Sequence, residues 1–267
     1  MKVSRIGWTD YSGGPLNFVR GCTPVSEGCE NCYARAIYER FGRDFTQVTI
    51  DEGAWAGLDR LTLPQDGNKR GPHSRPMAFV CDTGDLFHED VPRSVQYQVV
   101  YTMIRRPDIT WQILTKRAER MRAFVKNEIE GPLPPNVWLG VTCENQARAD
   151  ERIPILLDTP AAVRFVSVEP LLAPVDLRER LGAWAKGGAF RDDLGQQHHH
   201  AIRGLDWVIC GAESGPHRRP FDVTWALDLY EQCKAAEVPF FYKQGSALRP
   251  GQEDALPGVG QVKEWPG

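Results

Sequence analysis

The chain lacks the features that would place it in a membrane, in a secreted disulfide framework or along a nucleic-acid backbone. No apolar run approaches the length of a membrane span, and the start, MKVSRIGWTD, has no apolar core of a signal peptide. There is no basic excess. Net charge is −3, which argues against non-specific coating of nucleic acid, although a local basic patch is compatible with it. The seven cysteines are an odd number, and Cys81, Cys143 and Cys210 lie inside apolar, strand-like runs. Free thiols in a reducing cytoplasm are therefore expected, not disulfides. The stretch QQHHH at 196–200 is polar and Gly-flanked, and reads as a solvated loop in preference to a metal tract.

At 267 residues and 42% hydrophobic, the chain has enough apolar side chains for one large core, and residues 1–267 read as a single domain. A short apolar run at 16–19 is followed by six more: 77–87, 109–117, 136–145, 163–170, 206–215 and 238–245. Each is short and nearly continuous, as in parallel strands buried on both faces. Between them, helical spacing is expected over 91–105, 117–129, 145–157 and 222–237. An earlier helix is expected over 32–41, with Tyr33, Ile37 and Phe41 on one stripe and Gly42 as its stop. This alternation predicts a partial (β/α)6-type parallel barrel, with a doubly wound sheet as runner-up. Residues 51–76 and 171–205 break the rhythm as excursions. The second, with a helix expected over 175–185, is an insertion between strands five and six. The Gly- and Pro-rich tail from 249 to 267 reads as loosely attached.

The runs end in polar chemistry. Asp82 and Asp85 close one; Thr115, Lys116 and Arg117 the next; then Thr142, Glu144 and Asn145; Ser167 and Glu169; Glu213 and Ser214; Lys243 and Gln244. Helix caps explain some of these equally well, Thr142, Asn145 and Ser214 in particular. Six successive endings favour a shared mouth, since strand C-termini converge there in a β/α barrel.

Residues 21–36, GCTPVSEGCENCYARA, hold Cys22, Cys29 and Cys32 in the spacing C-x6-C-x2-C. Structural zinc takes four ligands, usually as two pairs, and no histidine stands nearby. A disulfide leaves one thiol over. An iron–sulfur cluster usually takes four thiolates, and three would leave one iron of a [4Fe–4S] cluster open to a ligand. The cluster is favoured over zinc, with both kept in play. Cys29 and Cys32, three apart, share a face on a helical turn.

Here the chain resembles the radical S-adenosylmethionine (SAM) superfamily, and most closely a phage-associated three-cysteine family within it. The resemblance is carried by IGWTD, GCTPVSEGCENCYARA, DLFHEDVP, QILTKRAERM, NVWLGVT, ADERIPILL, VRFVSVEPLL, DWVICGAESG and VPFFYKQ. It implies a partial barrel, cluster ligation by Cys22, Cys29 and Cys32, and SAM on the open iron. The superfamily's usual C-x3-C-x2-C gap is widened here, and Asn31, not an aromatic, precedes Cys32. Its glycine-glutamate motif is replaced by Asp82, Gly84 and Asp85.

Under this resemblance Lys116, Glu169 and Glu213 are the expected catalytic residues, with Arg117 beside Lys116 for a carboxylate or phosphate. Asp82, Asp85, Thr115, Thr142, Glu144 and Ser167 are the expected cofactor contacts. Glu169 and Glu213 are expected to face one cavity. The implied substrate is a nucleobase, nucleotide or nucleic acid, and the implied partner a reductant protein that donates electrons. Two other classes fit the same residues: a cluster- or zinc-stabilised binding protein without catalysis, and a photoproduct-lyase-like repair enzyme.

Overall fold

The computed structural model describes residues 3–63, 73–182, 189–191, 197–199 and 204–267. Among the described residues ten strands follow in chain order: β1 Val19–Arg20, β2 Thr49–Ile50, β3 Met77–Phe79, β4 Thr110–Thr115, β5 Leu133–Thr142, β6 Ala161–Val168, β7 Ala189–Arg191, β8 Gln197–His199, β9 Trp207–Gly211 and β10 Phe240–Gln244. The helices are α1 Tyr33–Arg40, α2 Glu52–Ala56, α3 Arg93–Ile104, α4 Ala118–Glu128, α5 Gln146–Leu157 and α6 Val223–Ala235.

One six-stranded sheet runs β3-β4-β5-β6-β9-β10, and every neighbouring pair is parallel. Five of the helices expected from spacing are present within a residue or two of their predicted ends. The sheet is curled. Side chains alternate between faces along a strand, and on the inner face Phe79 of β3, Phe165 of β6, Trp207 of β9 and Phe241 of β10 join one buried cluster with Trp8. Trp8 lies 4.7 Å from Phe79 at one edge and 6.2 Å from Trp207, which is 6.2 Å from Phe241 at the other. In a flat sheet, five gaps of about 4.8 Å would hold those edges far apart. The result is a half-barrel with an aromatic interior. The outer face packs Ile113, Val141, Val166 and Val208 into the main core with Val99, Phe124, Ile153 and Leu229 of the helices.

The first apolar run does not join this sheet. Val19 and Arg20 pair antiparallel with Ile50 and Thr49, and only isolated bridges, Tyr11 to Ala78 and Gly21 to Gly84, touch the β3 edge. A two-residue strand is too short to extend a ladder. In the 171–205 insertion, residues 175–182 form turns and a bridge from Leu181 to Leu205, not the expected helix; 183–185 lie outside the described residues. Gln197–His199 is a strand paired with Ala189–Arg191, not a loop, and residues 196 and 200 lie outside the described residues.

One further expectation is corrected. The C-terminal segment is not loose: Tyr242 N–H donates to Val262 O at 2.9 Å and Glu264 N–H to Phe240 O at 3.1 Å, so it lies along the open edge of β10. Trp265 packs edge-on against Phe241 at 5.1 Å, covering the interior from that side. The apolar stripe of α1 does not face the core. Tyr33, Ile37 and Phe41 are exposed, Phe41 by 70%, and only Ala34 of the helix is buried. Gly42, at φ 64, ends the helix as its permissive backbone allows.

A cysteine-lined candidate active site

The loop from Gly21 to Cys32 crosses the C-terminal ends of the parallel strands and leads into α1, with Cys32 at the N-cap. Beneath it is a cavity of about 180 Å³ walled by Cys22, Cys29 and Cys32 together with Asp82, Asp85, Thr115, Lys116, Arg117 and Thr142. A single water needs only about 10–15 Å³ on this measure, so the space suits a ligand. The resemblance-derived set therefore comes together in large part at the mouth expected from the strand endings. Among the described residues, no three His, Cys, Asp or Glu side chains lie close enough to share one metal ion. The thiols ring the cavity.

Most of the strand-end residues are already engaged, and what they hold is the cysteine loop. Arg117, after β4, is buried; it donates to Thr23 Oγ1 at 2.9 Å, Thr23 O at 3.2 Å and Cys22 Sγ at 3.3 Å. Its remaining donors reach Asp85 at 3.2 Å and Glu89 at 2.9 Å, so it has none left for a substrate. Asp85 also accepts from Thr115 Oγ1 at 2.8 Å and Phe87 N–H at 2.9 Å, which makes Asp85 and Thr115 its frame.

Glu144, after β5, has no exposed surface. It accepts from Ser26 Oγ of the loop and from Arg152 Nη1 at 2.9 Å, and Arg152 also caps Thr142 O at 2.7 Å. Gly28 lies so close that a Cβ there would meet Glu144 Cγ at 2.2 Å. Only glycine permits that approach. Asn145, the alternative explained by capping, is the N-cap of α5 and accepts from Arg148 N–H at 3.0 Å.

Glu213, after β9, accepts from Asn31 Nδ2 at 3.1 Å and Arg219 N–H at 2.7 Å, and Arg219 Nη1 donates to Glu27 O at 3.0 Å. Burial pushes the Glu213 carboxyl up, but these hydrogen bonds and the Arg219 charge outweigh it and leave the group below the usual carboxylate range. Glu169, after β6, forms a 3.0 Å ion pair with Lys243 whose angles are not those of a hydrogen bond, and its other oxygen accepts from Ser167 Oγ at 3.3 Å. The Glu169–Pro170 peptide is cis. Neither Glu169 nor Glu213 lines the cysteine cavity, contrary to expectation, because each faces its own cation. Ser167 and Glu144 are likewise off its wall.

Three expected residues keep free chemistry on that wall. Lys116 makes no hydrogen bond or ion pair within the described residues, and its side chain is only partly exposed. Thr142 presents a hydroxyl whose side chain has no such partner. Asp82 keeps one carboxylate oxygen, the other accepting from Asn17 Nδ2. Lys116 also marks the cysteines. Burial raises the Cys29 thiol, but the Lys116 charge and hydrogen bonds within the loop bring it below an ordinary thiol. Cys22 goes the other way, pushed up to about 11 by burial and Asp85.

Sequence reasoning missed Ser26, Asn31, His88, Arg152 and Arg219. His88, buried beside Thr23, stands in DLFHEDVP and is the one with a signal, a histidine just past a strand end.

A family model described as protein of unknown function (DUF5131) matches residues 3–256. None of the curated proteins and none of the solved structures matches the chain.

Proposed function

The chain belongs to that DUF5131 family, and we propose that within it the protein is a radical SAM-type enzyme, its cluster held by Cys22, Cys29 and Cys32. The observation that carries this reading is the convergence of three thiols and one unpaired ammonium, Lys116, on a single cavity at the C-terminal ends of a curled parallel sheet. The donor set fits a [4Fe–4S] cluster: the sulfurs are soft ligands, the cations Lys116 and Arg117 offset thiolate charge, and thiols that ring a space suit a group taking one thiolate per iron. When bound, the cluster supplies the electron that cleaves SAM to methionine and a 5′-deoxyadenosyl radical.

The chain's own residues do the rest. Lys116 binds the carboxylate of SAM or a phosphate of the substrate, since no internal carboxylate competes for it. Thr142 and the free oxygen of Asp82 offer a hydroxyl and an acceptor to ribose or amine groups. Arg117, Glu144 and Glu213 position the loop and so take the place of the ligand contacts expected for Glu144 and Glu213. Glu169 and Lys243 form a neutral pair at the inner rim. The substrate is a nucleobase or nucleotide, the phosphate being what Lys116 suits, and a cytoplasmic reductant protein supplies electrons. No helix among the described residues is long and apolar enough to cross a membrane.

One observation favours a second reading, a metal-stabilised binding protein without SAM chemistry. Asp85, which stands where the superfamily's amine-binding motif would be, is fully engaged by Thr115, Arg117 and Phe87.

Anaerobic purification decides between them. The proposed enzyme is brown, carries about four irons and four sulfides per chain, changes its reduced EPR spectrum on adding SAM, and releases 5′-deoxyadenosine with dithionite. A colourless protein with stoichiometric zinc, or a spectrum indifferent to SAM, overturns it.

A further inference from the structure

Thr23 follows Cys22 in the loop and lines the same cavity. Its hydroxyl oxygen has two neighbours that settle where its proton can go. Arg117 Nη2, which can only donate, reaches Thr23 Oγ1 at 2.9 Å. His88 Nε2 stands at 2.9 Å on another side. The other ring nitrogen of His88 accepts the backbone N–H of Asp90 at 3.1 Å, so Nδ1 carries no hydrogen and the ring proton sits on Nε2, facing Thr23. Both lone pairs of the Thr23 oxygen are therefore taken by donors. Its own O–H is left to donate, and neither neighbour can accept it.

No acceptor meets that hydrogen among the described residues, and the preceding residue, Cys22, shares its donor with Thr23. One guanidinium group touches both residues, Nη2 at Thr23 Oγ1 and Nη1 at Cys22 Sγ, 3.3 Å away. As a thiol, Cys22 donates to Thr23 O at 3.5 Å. Metal binding takes that proton, and Sγ becomes purely an acceptor. We propose that Thr23 donates its hydroxyl hydrogen bond to the metal-bound Cys22 thiolate, and that His88 is the positioning residue that sets its direction. The inference rests on metal binding by the three cysteines. Hydrogen bonds to a ligating sulfur withdraw electron density from it, which raises the reduction potential of an iron centre and tightens the site.

The test uses the full-length chain loaded with iron and sulfide and, separately, with Co²⁺ alone. Thr23→Val removes the donor at constant shape; Thr23→Ser keeps it; Thr23→Ala is the second variant if valine impairs folding. With iron, Thr23→Val or Thr23→Ala is expected to move the midpoint potential to more negative values, with Thr23→Ser at the wild-type value. With Co²⁺, the thiolate-to-cobalt absorption is expected to shift to longer wavelength in the same variants only, and EDTA to remove the metal about tenfold faster or more, the scale on which outer-shell partners act. A merely structural threonine would leave both potential and absorption where they are. Unchanged spectra in metal-loaded Thr23→Val and Thr23→Ala overturn the donor role and leave metal binding standing. A wild-type chain that takes up neither iron nor Co²⁺ overturns both.

Discussion

Asn31 Nδ2 donates to Glu213 Oε2 at 3.1 Å, joining two residues that are 182 apart in the chain. Asn31 immediately precedes Cys32, and Glu213 follows the fifth strand of the parallel sheet. A carboxylate at a barrel mouth invites a reading as a ligand contact. Here its two oxygens are turned onto Asn31 and Arg219 and so hold a cysteine in place.

Glu213→Gln is expected to lower stability by about 1.5–3 kcal/mol, the range for hydrogen bonds to a charged group. The sign with pH follows from its depressed carboxyl. The stabilisation is fully present above about 4.5 and is lost as pH falls through the lower folded value. Urea titrations at neutral and acid pH should show the variant's deficit shrinking as the pH drops. A deficit that is the same at both ends would mean that the charge is not what matters.

Glu144→Ala leaves Arg152 buried without its carboxylate, and breaking such a pair costs about 3–5 kcal/mol. Removing both partners should cost less than the sum of the two single changes. A double-mutant cycle by chemical denaturation measures the coupling, and strict additivity would deny the interaction.

Gly28→Ala should loosen the cysteine loop without touching a thiol. The added methyl meets Glu144 at 2.2 Å, and overpacking of this kind costs about 1–3 kcal/mol. Metal content per chain should fall. Partial recovery is expected when Glu144 is shortened to Asp in the same chain.

In the metal-free protein, Cys29 should be alkylated at lower pH than Cys22, because Lys116 and the loop hydrogen bonds favour the Cys29 thiolate over the opposing effect of burial, whereas burial and Asp85 disfavour that of Cys22. Lys116→Met should move the Cys29 rate-against-pH curve upward. Cys143 and Cys210, fully buried, should react only on unfolding. Mass spectrometry of peptides after timed iodoacetamide exposure gives all of these rates together.

Trp265→Ala should destabilise the sheet through the C-terminal segment, by up to about 3 kcal/mol, since the ring is partly buried against Phe241 and Trp8. A thermal midpoint indistinguishable from wild type would restore the reading of this segment as loosely attached.

The parallel sheet was legible because its strands are short and apolar on both faces, a pattern that exposed segments do not carry. Helix extents were legible for the same reason: 145–157 was expected and Gln146–Leu157 found. Periodicity alone does not say what an apolar stripe faces: Tyr33, Ile37 and Phe41 share one stripe and all three are exposed, Tyr33 at the wall of the cysteine cavity. At the site, the strand-end residues could be picked out as a group because polar side chains after buried strands are conspicuous. Their individual roles could not. Whether Glu213 meets a ligand or Asn31 depends on a partner far away in the chain, and the same holds for Glu144 with Ser26. Lys116 stands apart from Arg117 only through the absence of a neighbour, and local sequence carries no trace of that.

The loop's fastenings also impose an order on assembly. They join Thr23 to Arg117, Ser26 to Glu144, Asn31 to Glu213 and Glu27 to Arg219, across 94, 118, 182 and 192 residues. Contacts of such long range pay their chain-closure entropy late. During N-to-C synthesis the three cysteines leave the ribosome well before Arg219, which must follow before the loop that carries them can close. Until then those thiols belong to an open chain. Metal delivery to a finished site therefore follows the synthesis of Arg219, and oxidation of the waiting cysteines competes with it until then.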